Sequence, residues 1–438
     1  MNHIPLAIKL PRKHPLRLNG FIFLVFFFLG VTNILAQSPQ PLPLQELIWE
    51  ALRNNPQLKA YRDLSKASRA QISPAGSLPD PLLSLRVLNV PDNHLAFNRE
   101  AMSGKQISLT QSFPFPGKLL LKSAIARSRA ETNEANLQEM KNALIKEVKE
   151  TYYELYYIDQ AIRTTQKNKA LLSELVKIAT VKYSVGKGLQ QDVLKAQVEM
   201  ARLNDRLLVL EQKRTVLTAR LNRLLNRRDN PPIVPVIPSS LPAPHFARDT
   251  LLIQMQKKRP LLLLWQKRLQ ESKEKSALAR KNFWPDLILS LTYTQRDVLI
   301  NGTGGQDFIS FGISFRLPIF AHRKQNKQIE AAFMLETGIQ NTLREVRNQI
   351  SEALTKTLSI LKRSFRQEAL YRTSVLPQAR QSLMAARAGY QNGKIDFLTL
   401  VNNQMTLFQT ELEYQRIISD YYKALAELEY VTGARNGE

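Results

Sequence analysis

Five histidines and no cysteine among 438 residues leave little material for nucleophilic or metal chemistry. Without cysteine there is no disulfide, no thiolate ligand, no Cys nucleophile and no lipidated N-terminal Cys. His3 and His14 fall in an N-terminal segment, His94, His245 and His322 stand in loops or at element ends, and none has a second His at ligand spacing. Asp192, Asp396 and Tyr390 stand beside helix termini, where an acid is explained by the helix dipole without acid/base work. Asn301-Gly302-Thr303-Gly304-Gly305 has the glycine content of a phosphate loop. It lacks the GK[ST] ending and joins two strands, so it is expected to be a hairpin tip. No catalytic residue, metal site or cofactor is expected, and an enzyme is the weakest reading.

The elements that carry these residues are long. Lys118 to Val185 contains neither Gly nor Pro, and neither does Leu189 to Asn230. At a rise of roughly 1.5 Å per residue the first run makes a helix on the order of 100 Å. The turn between them, Tyr183-Ser184-Val185-Gly186-Lys187-Gly188-Leu189, recurs as Tyr390-Gln391-Asn392-Gly393-Lys394-Ile395; 390 − 183, 393 − 186 and 394 − 187 all give 207. The chain is therefore read as two tandem halves, each built around a long helical hairpin. Heptad tracks mark the hairpin as an antiparallel coiled coil, with Leu137, Leu144, Ile158 and Leu172 beside Val148, Leu155, Ile162 and Val176. The return helix carries Leu203, Leu210, Leu217 and Leu224 flanked by Leu207 and Leu221.

Taken in order, residues 1–36 read as a secretory signal. Lys9, Arg12, Lys13 and Arg17 precede an apolar run from Gly20 to Leu29, and Ile34-Leu35-Ala36 offers a cleavage site. As a membrane anchor the stretch, about 16 residues, falls short of the roughly 20 a span requires. The first repeat is placed at 37–229. Its opening helix, Leu44 to Ile72, is kinked or restarted at Pro56 and closed by Ser73-Pro74-Ala75-Gly76. Residues 230–246 form a linker, with six prolines between Asn230 and Pro244. The second repeat, 247–433, replays the first: Pro260 answers Pro56 and Leu317-Pro318 answers Phe113-Pro114, both at an offset of 204. A helix is expected from Ala321 to Ala388, interrupted only at Gly338 and Pro377, and another from Ile395 to Thr432. Residues 434–438 are a tail.

Each half also contains two stretches of period 2. Leu83, Leu85 and Val87 alternate with Ser84 and Arg86, and Ile107 and Leu109 with Gln106, Ser108 and Thr110. In the second half Leu287, Leu289, Leu291 and Tyr293 form one row, and Ile309, Phe311, Ile313, Phe315 and Leu317 another. Apolar outside against small and polar inside is the pattern of a transmembrane β-barrel. Four strands cannot close one, and an open edge in lipid leaves backbone groups unpaired at several kcal/mol each. Several copies must share a barrel; three copies make about twelve strands around an open bore. The alternative is a soluble sandwich carrying helical hairpins.

Lys and Arg number 62 against 37 acids, a formal charge of +25, or 25 − 4 = +21 without the signal. The charges are spread along helix faces, with no RNP-like strand, zinc-finger spacing or dense basic arm, so a nucleic-acid partner is not expected.

With these features in place, the sequence resembles the TolC-like family of outer-membrane efflux proteins across nearly the whole mature chain. The resemblance is carried by Gly186 with Asp192-Val193-Leu194-Lys195-Ala196-Gln197, and by Pro377, Tyr390, Gly393, Phe397-Leu398, Gln404 and Thr432-Gly433. Leu78-Pro79-Asp80-Pro81, Asn89-Val90-Pro91 and Gln111 to Lys118 resemble its cation-efflux branch. The resemblance implies a mostly α fold with a small β part: a homotrimer whose twelve-stranded barrel sits in outer-membrane lipid and continues as a periplasmic α-helical tunnel. It implies a passive exit duct, with a periplasmic adaptor and an inner-membrane pump of the RND type as partners and heavy-metal cations as a substrate class. The adaptor-docking role would fall on Val185, Gly186, Leu189, Gly393 and Ile395. The tunnel gate would fall on Tyr390, Asp396, Thr399 and Asn402, although Thr399 and Asn402 stand where a pair of aspartates constricts the prototype. A secreted or periplasmic coiled-coil scaffold, or an adaptor, is the competing functional class.

Overall fold

In the computed structural model, residues 43–433 are described, apart from 94, 229–230, 238–240 and 245–246. The expected signal segment 1–36, the tail 434–438, His3, His14, His94 and His245 lie outside the described residues. No helix among the described residues is long and apolar enough to cross a membrane.

The Gly- and Pro-free run forms one unbroken helix, α4, Lys118–Ser184, of 67 residues. It follows three shorter helices, α1 (Leu44–Asn54), α2 (Pro56–Ala70) and α3 (Ile72–Gly76). Pro56 restarts the helix as expected, because its missing N–H costs nothing at the first helical position. Asn55 caps it, its side chain accepting from the Leu58 N–H at 3.1 Å. The return helix α5, Gln190–Leu225, has 36 residues and so covers only about half of α4. The rest of α4 packs against α1 to α3 and against α7 (Pro260–Lys281), which follows α6 (Arg248–Lys258). The expected heptad positions Val148, Leu155, Ile158 and Leu172 are closed off from solvent. Each such burial stabilises by about 1.5–3 kcal/mol.

The second long helix runs through Gly338 without the expected interruption, and it departs from expectation in two further places. It begins at Gln325 rather than Ala321, and it is interrupted by a π-helical turn, Tyr371–Val375, between α8 (Gln325–Leu370) and α9 (Leu376–Gln391). Residues 318–324 spend their backbone groups on turns, with Ala321 N–H bonded to Pro318 O and Arg323 N–H to Phe320 O. The π turn relieves Pro377, which has no N–H for the carbonyl four residues back and whose ring would strike it. Helix α10, Phe397–Thr432, completes the half. Helix starts 325 − 118 and 397 − 190 both give 207, while Leu317-Pro318 still follows Phe113-Pro114 by 204. The three residues that distinguish the halves therefore lie between Pro318 and Gln325.

The linker does not hang free. Ile233 is fully buried, and two tyrosines of the long helices hold its backbone. Tyr152 Oη accepts from Val236 N–H at 2.8 Å, and Tyr421 Oη donates to Pro242 O.

The four strands β1 (Leu82–Leu88), β2 (Gly104–Phe113), β3 (Leu287–Gln295) and β4 (Phe308–Phe315) make one antiparallel sheet in chain order, so the two halves join at β2–β3. The register aligns Leu85 with Ile107, Ile107 with Tyr293 and Tyr293 with Ile309, and likewise Leu83, Leu109, Leu291 and Phe311. One face is therefore a continuous apolar layer, and it is exposed, up to 82% at Phe311. Ser84, Ser108, Thr292 and Ser310 share the other face. A water-soluble sheet buries its apolar face; this one presents it.

Candidate functional site: the paired hairpin tips

Both hairpins turn on a glycine in the left-handed region, Gly186 at φ 70° and Gly393 at φ 71°. The closing bonds are the same pair in each. Gly186 N–H reaches Tyr183 O at 3.0 Å and Lys187 N–H reaches Lys182 O at 2.8 Å; Gly393 and Lys394 repeat them on Tyr390 O and Gly389 O. A Cβ added at either glycine meets nothing within 4 Å. Val185, Gly186, Leu189 and Gly393 are all exposed at the tips.

The tips differ in one exchange that sequence reading did not single out. The 207-residue offset pairs Lys182 with Gly389 and Gly188 with Ile395. In the second tip the missing side chain at Gly389 admits Ile395, 3.4 Å from where a Cβ would stand. Ile395 is thus half-buried inside its own hairpin, unlike the other four tip residues. In the first tip the small partner is Gly188, and the long chain is Lys182. Its Nζ crosses to the other hairpin, 3.9 Å from the centre of the Tyr390 ring, and donates to Tyr390 O at 3.1 Å. Lys182 was legible only as the position where the two turns stop matching.

Tyr390 itself is 6% exposed and packs edge-on against Phe397, with ring centroids 5.6 Å apart. Burial, and then the charge of Asp192, push its phenol above the ordinary range. Asp396, Thr399 and Asn402 lie apart from it, exposed in a row along α10. Asp396 caps α10, accepting from Thr399 N–H at 2.8 Å, and bonds to Thr399 hold its carboxyl below the usual range. The row continues as hydrogen bonds, Asn403 Nδ2 to Thr399 O and Thr406 Oγ1 to Asn402 O, both 2.8 Å. The structure therefore brings Tyr390 together with Lys182 and Phe397, and Asp396 together with Thr399, without joining the two sets. Among the described residues no three His, Asp or Glu side chains gather as metal ligands.

Further from the tips, α4 and α10 are fastened by Glu154. It accepts from Arg416 and Lys423, both at 2.8 Å. Burial raises the Glu154 carboxyl, but the two cations outweigh it and hold it below its ordinary value.

A family model described as outer membrane efflux protein matches residues 47–227 and 251–434. The cobalt-zinc-cadmium resistance protein CzcC of Cupriavidus metallidurans is 22% identical over 405 residues, covering 91% of each chain. The fold is shared with CusC, studied for transmembrane channel formation, at a TM-score of 0.76, 16% identity and coverage of 91% of this chain and 93% of that one. It is shared equally with the Campylobacter jejuni outer membrane channel CmeC, at 0.76, 16% identity, and 89% and 85% coverage. Because this match spans most of the chain, the chain belongs to the outer membrane efflux protein family: it is an efflux protein of the outer membrane.

Proposed function

We propose that three copies of this chain share one twelve-stranded barrel, continue below it as a helical tunnel, and serve as the exit duct of a tripartite efflux system. The observation that carries this is the sheet: an exposed apolar layer on one face, polar residues on the other, and free edges at β1 and β4 within the chain. In lipid such edges must pair, and another copy supplies the partner. Helix α5 supports the same reading, because Leu194, Val198, Leu208 and Val216 are exposed and share one face of the helix, opposite its contact with α4. A coiled-coil scaffold has no use for the apolar sheet.

In this duct the tips Val185, Gly186, Leu189 and Gly393 receive a periplasmic adaptor, and an inner-membrane RND pump supplies the energy. Ile395 shapes its tip from inside. The tips also form the gate, with Tyr390 held by Lys182 and the polar row Asp396, Thr399 and Asn402 facing the bore. The cation–π contact and its hydrogen bond together contribute about 1–2 kcal/mol. Lys182→Met is expected to raise the open fraction of single channels in planar bilayers about tenfold, and Lys182→Arg to keep it near wild type. Unchanged gating in Lys182→Met would remove this latch.

CzcC bears the name of a cobalt-zinc-cadmium resistance protein, and we take the same divalent cations as the substrate class here. Deleting the gene in its host should lower the inhibitory concentrations of cobalt, zinc and cadmium salts, with restoration by a plasmid copy. Unaltered metal tolerance alongside lost tolerance to organic drugs would reassign the substrate.

A further inference from the structure

At the helix end of the sheet lies a hollow of about 660 Å³. Its floor is Phe113, Leu287, Leu289 and Phe315, and Phe115 and Trp284 form a wall. The floor belongs to the exposed apolar face, since Phe113 pairs with Leu287 and Leu287 with Phe315. The wall rings stack at 5.4 Å and 14°. An apolar recess edged by aromatic rings at the end of a membrane strand is where acyl chains meet headgroups.

The rim is basic. Lys281 Nζ donates to Pro116 O at 3.1 Å and stands 5.9 Å from the Phe115 ring centre. Lys122 is close enough for its charge to act on Asp286. The connection after β4, three residues longer than its first-half counterpart, carries His322-Arg323-Lys324. Asp286, the acid next to β3, is committed: it accepts from Lys118 Nζ and Phe115 N–H, both at 2.8 Å. Among the described residues no ion pair involves Lys122, Lys281, Arg323 or Lys324. The opposite end of the sheet is mixed in sign, with Lys105 paired to Asp297 at 3.7 Å.

We infer that this recess binds an anionic glycerophospholipid of the periplasm-facing leaflet, one acyl chain in the hollow and the phosphate at Lys281 and Lys122. The inference rests on the proposed lipid-facing barrel. It gives part of the +25 charge a use, since basic side chains next to a membrane surface each favour anionic lipid.

The test uses the full-length protein extracted in mild nonionic detergent, with bound lipid identified by native mass spectrometry. Wild type should retain phosphatidylglycerol or cardiolipin, and Lys281→Gln and Lys122→Gln should each lower retention about fivefold. Added dioleoylphosphatidylglycerol should raise the melting temperature of wild type but not of the double variant; dioleoylphosphatidylethanolamine should raise neither. Equal retention by the double variant, or recovery of only zwitterionic lipid, lipid A or no lipid, overturns the inference. Oligomer mass and bilayer conductance are read on the same samples. Their loss in wild type counts against the shared barrel, whereas their persistence without anionic lipid counts against this site alone.

Discussion

Gly186→Trp and Gly393→Trp are each expected to abolish export in cells while leaving the amount of assembled protein in the outer membrane near wild type. Both glycines are exposed, and a Cβ added at either meets nothing within 4 Å of the protein itself. An indole there leaves the hairpin core intact and costs about 1–2 kcal/mol for a non-glycine residue at positive φ. Under the proposed docking, it occupies the space the adaptor needs. A bulky obstruction at the centre of an interface can remove binding altogether, whereas the fold loses a small part of its stability. The readout is cobalt, zinc and cadmium tolerance of a complemented deletion strain, set beside the assembled protein in isolated outer membranes. Full tolerance in both variants would take the tips out of the mechanism, and loss of assembled protein would show that the turns act in folding instead.

The second large effect is expected at the sheet. Phe311 is 82% exposed in the middle of β4. A cation at the bilayer midplane on a lipid-facing barrel position costs about 2–4 kcal/mol, and a trimer carries the substitution in each copy. Phe311→Arg should therefore leave little assembled protein in the outer membrane. Ser310→Arg, one residue away on the polar face, should assemble normally. If both variants assembled equally well, the apolar layer would face something other than lipid.

Much of this architecture was legible in the chain because its signals are periodic. The Gly- and Pro-free runs became α4 and α5; α4 ends within a residue of its expected limits, whereas α5 stops at Leu225, 230 − 225 = 5 residues before Asn230. Alternation placed all four strands, and paired glycines placed both turns. What escaped was local and aperiodic. Ala321 to Lys324 contains no helix breaker, so the helix was expected to start there, yet the chain needs those residues to turn out of the sheet. Pro377 announced an interruption without saying that a π turn would absorb it.

The candidate site was legible only in part. Glycines at positive φ are visible to sequence reading; partners across two hairpins are not. The family resemblance groups Tyr390 and Asp396 as gate residues; in the fold one is buried under Lys182 and the other caps a helix. The exchange of Lys182 and Gly188 for Gly389 and Ile395 was present in the repeat throughout. Its meaning depends on which side of the turn has room for a side chain, and only the packed structure decides that.

The claim on which the rest depends is that a single sheet of four strands is one third of a closed conducting barrel. Purified protein in detergent, measured for mass by light scattering and then added to planar bilayers, tests it directly. The account predicts a trimer with discrete ion-conducting steps; a monomeric species that leaves the bilayer silent would contradict it.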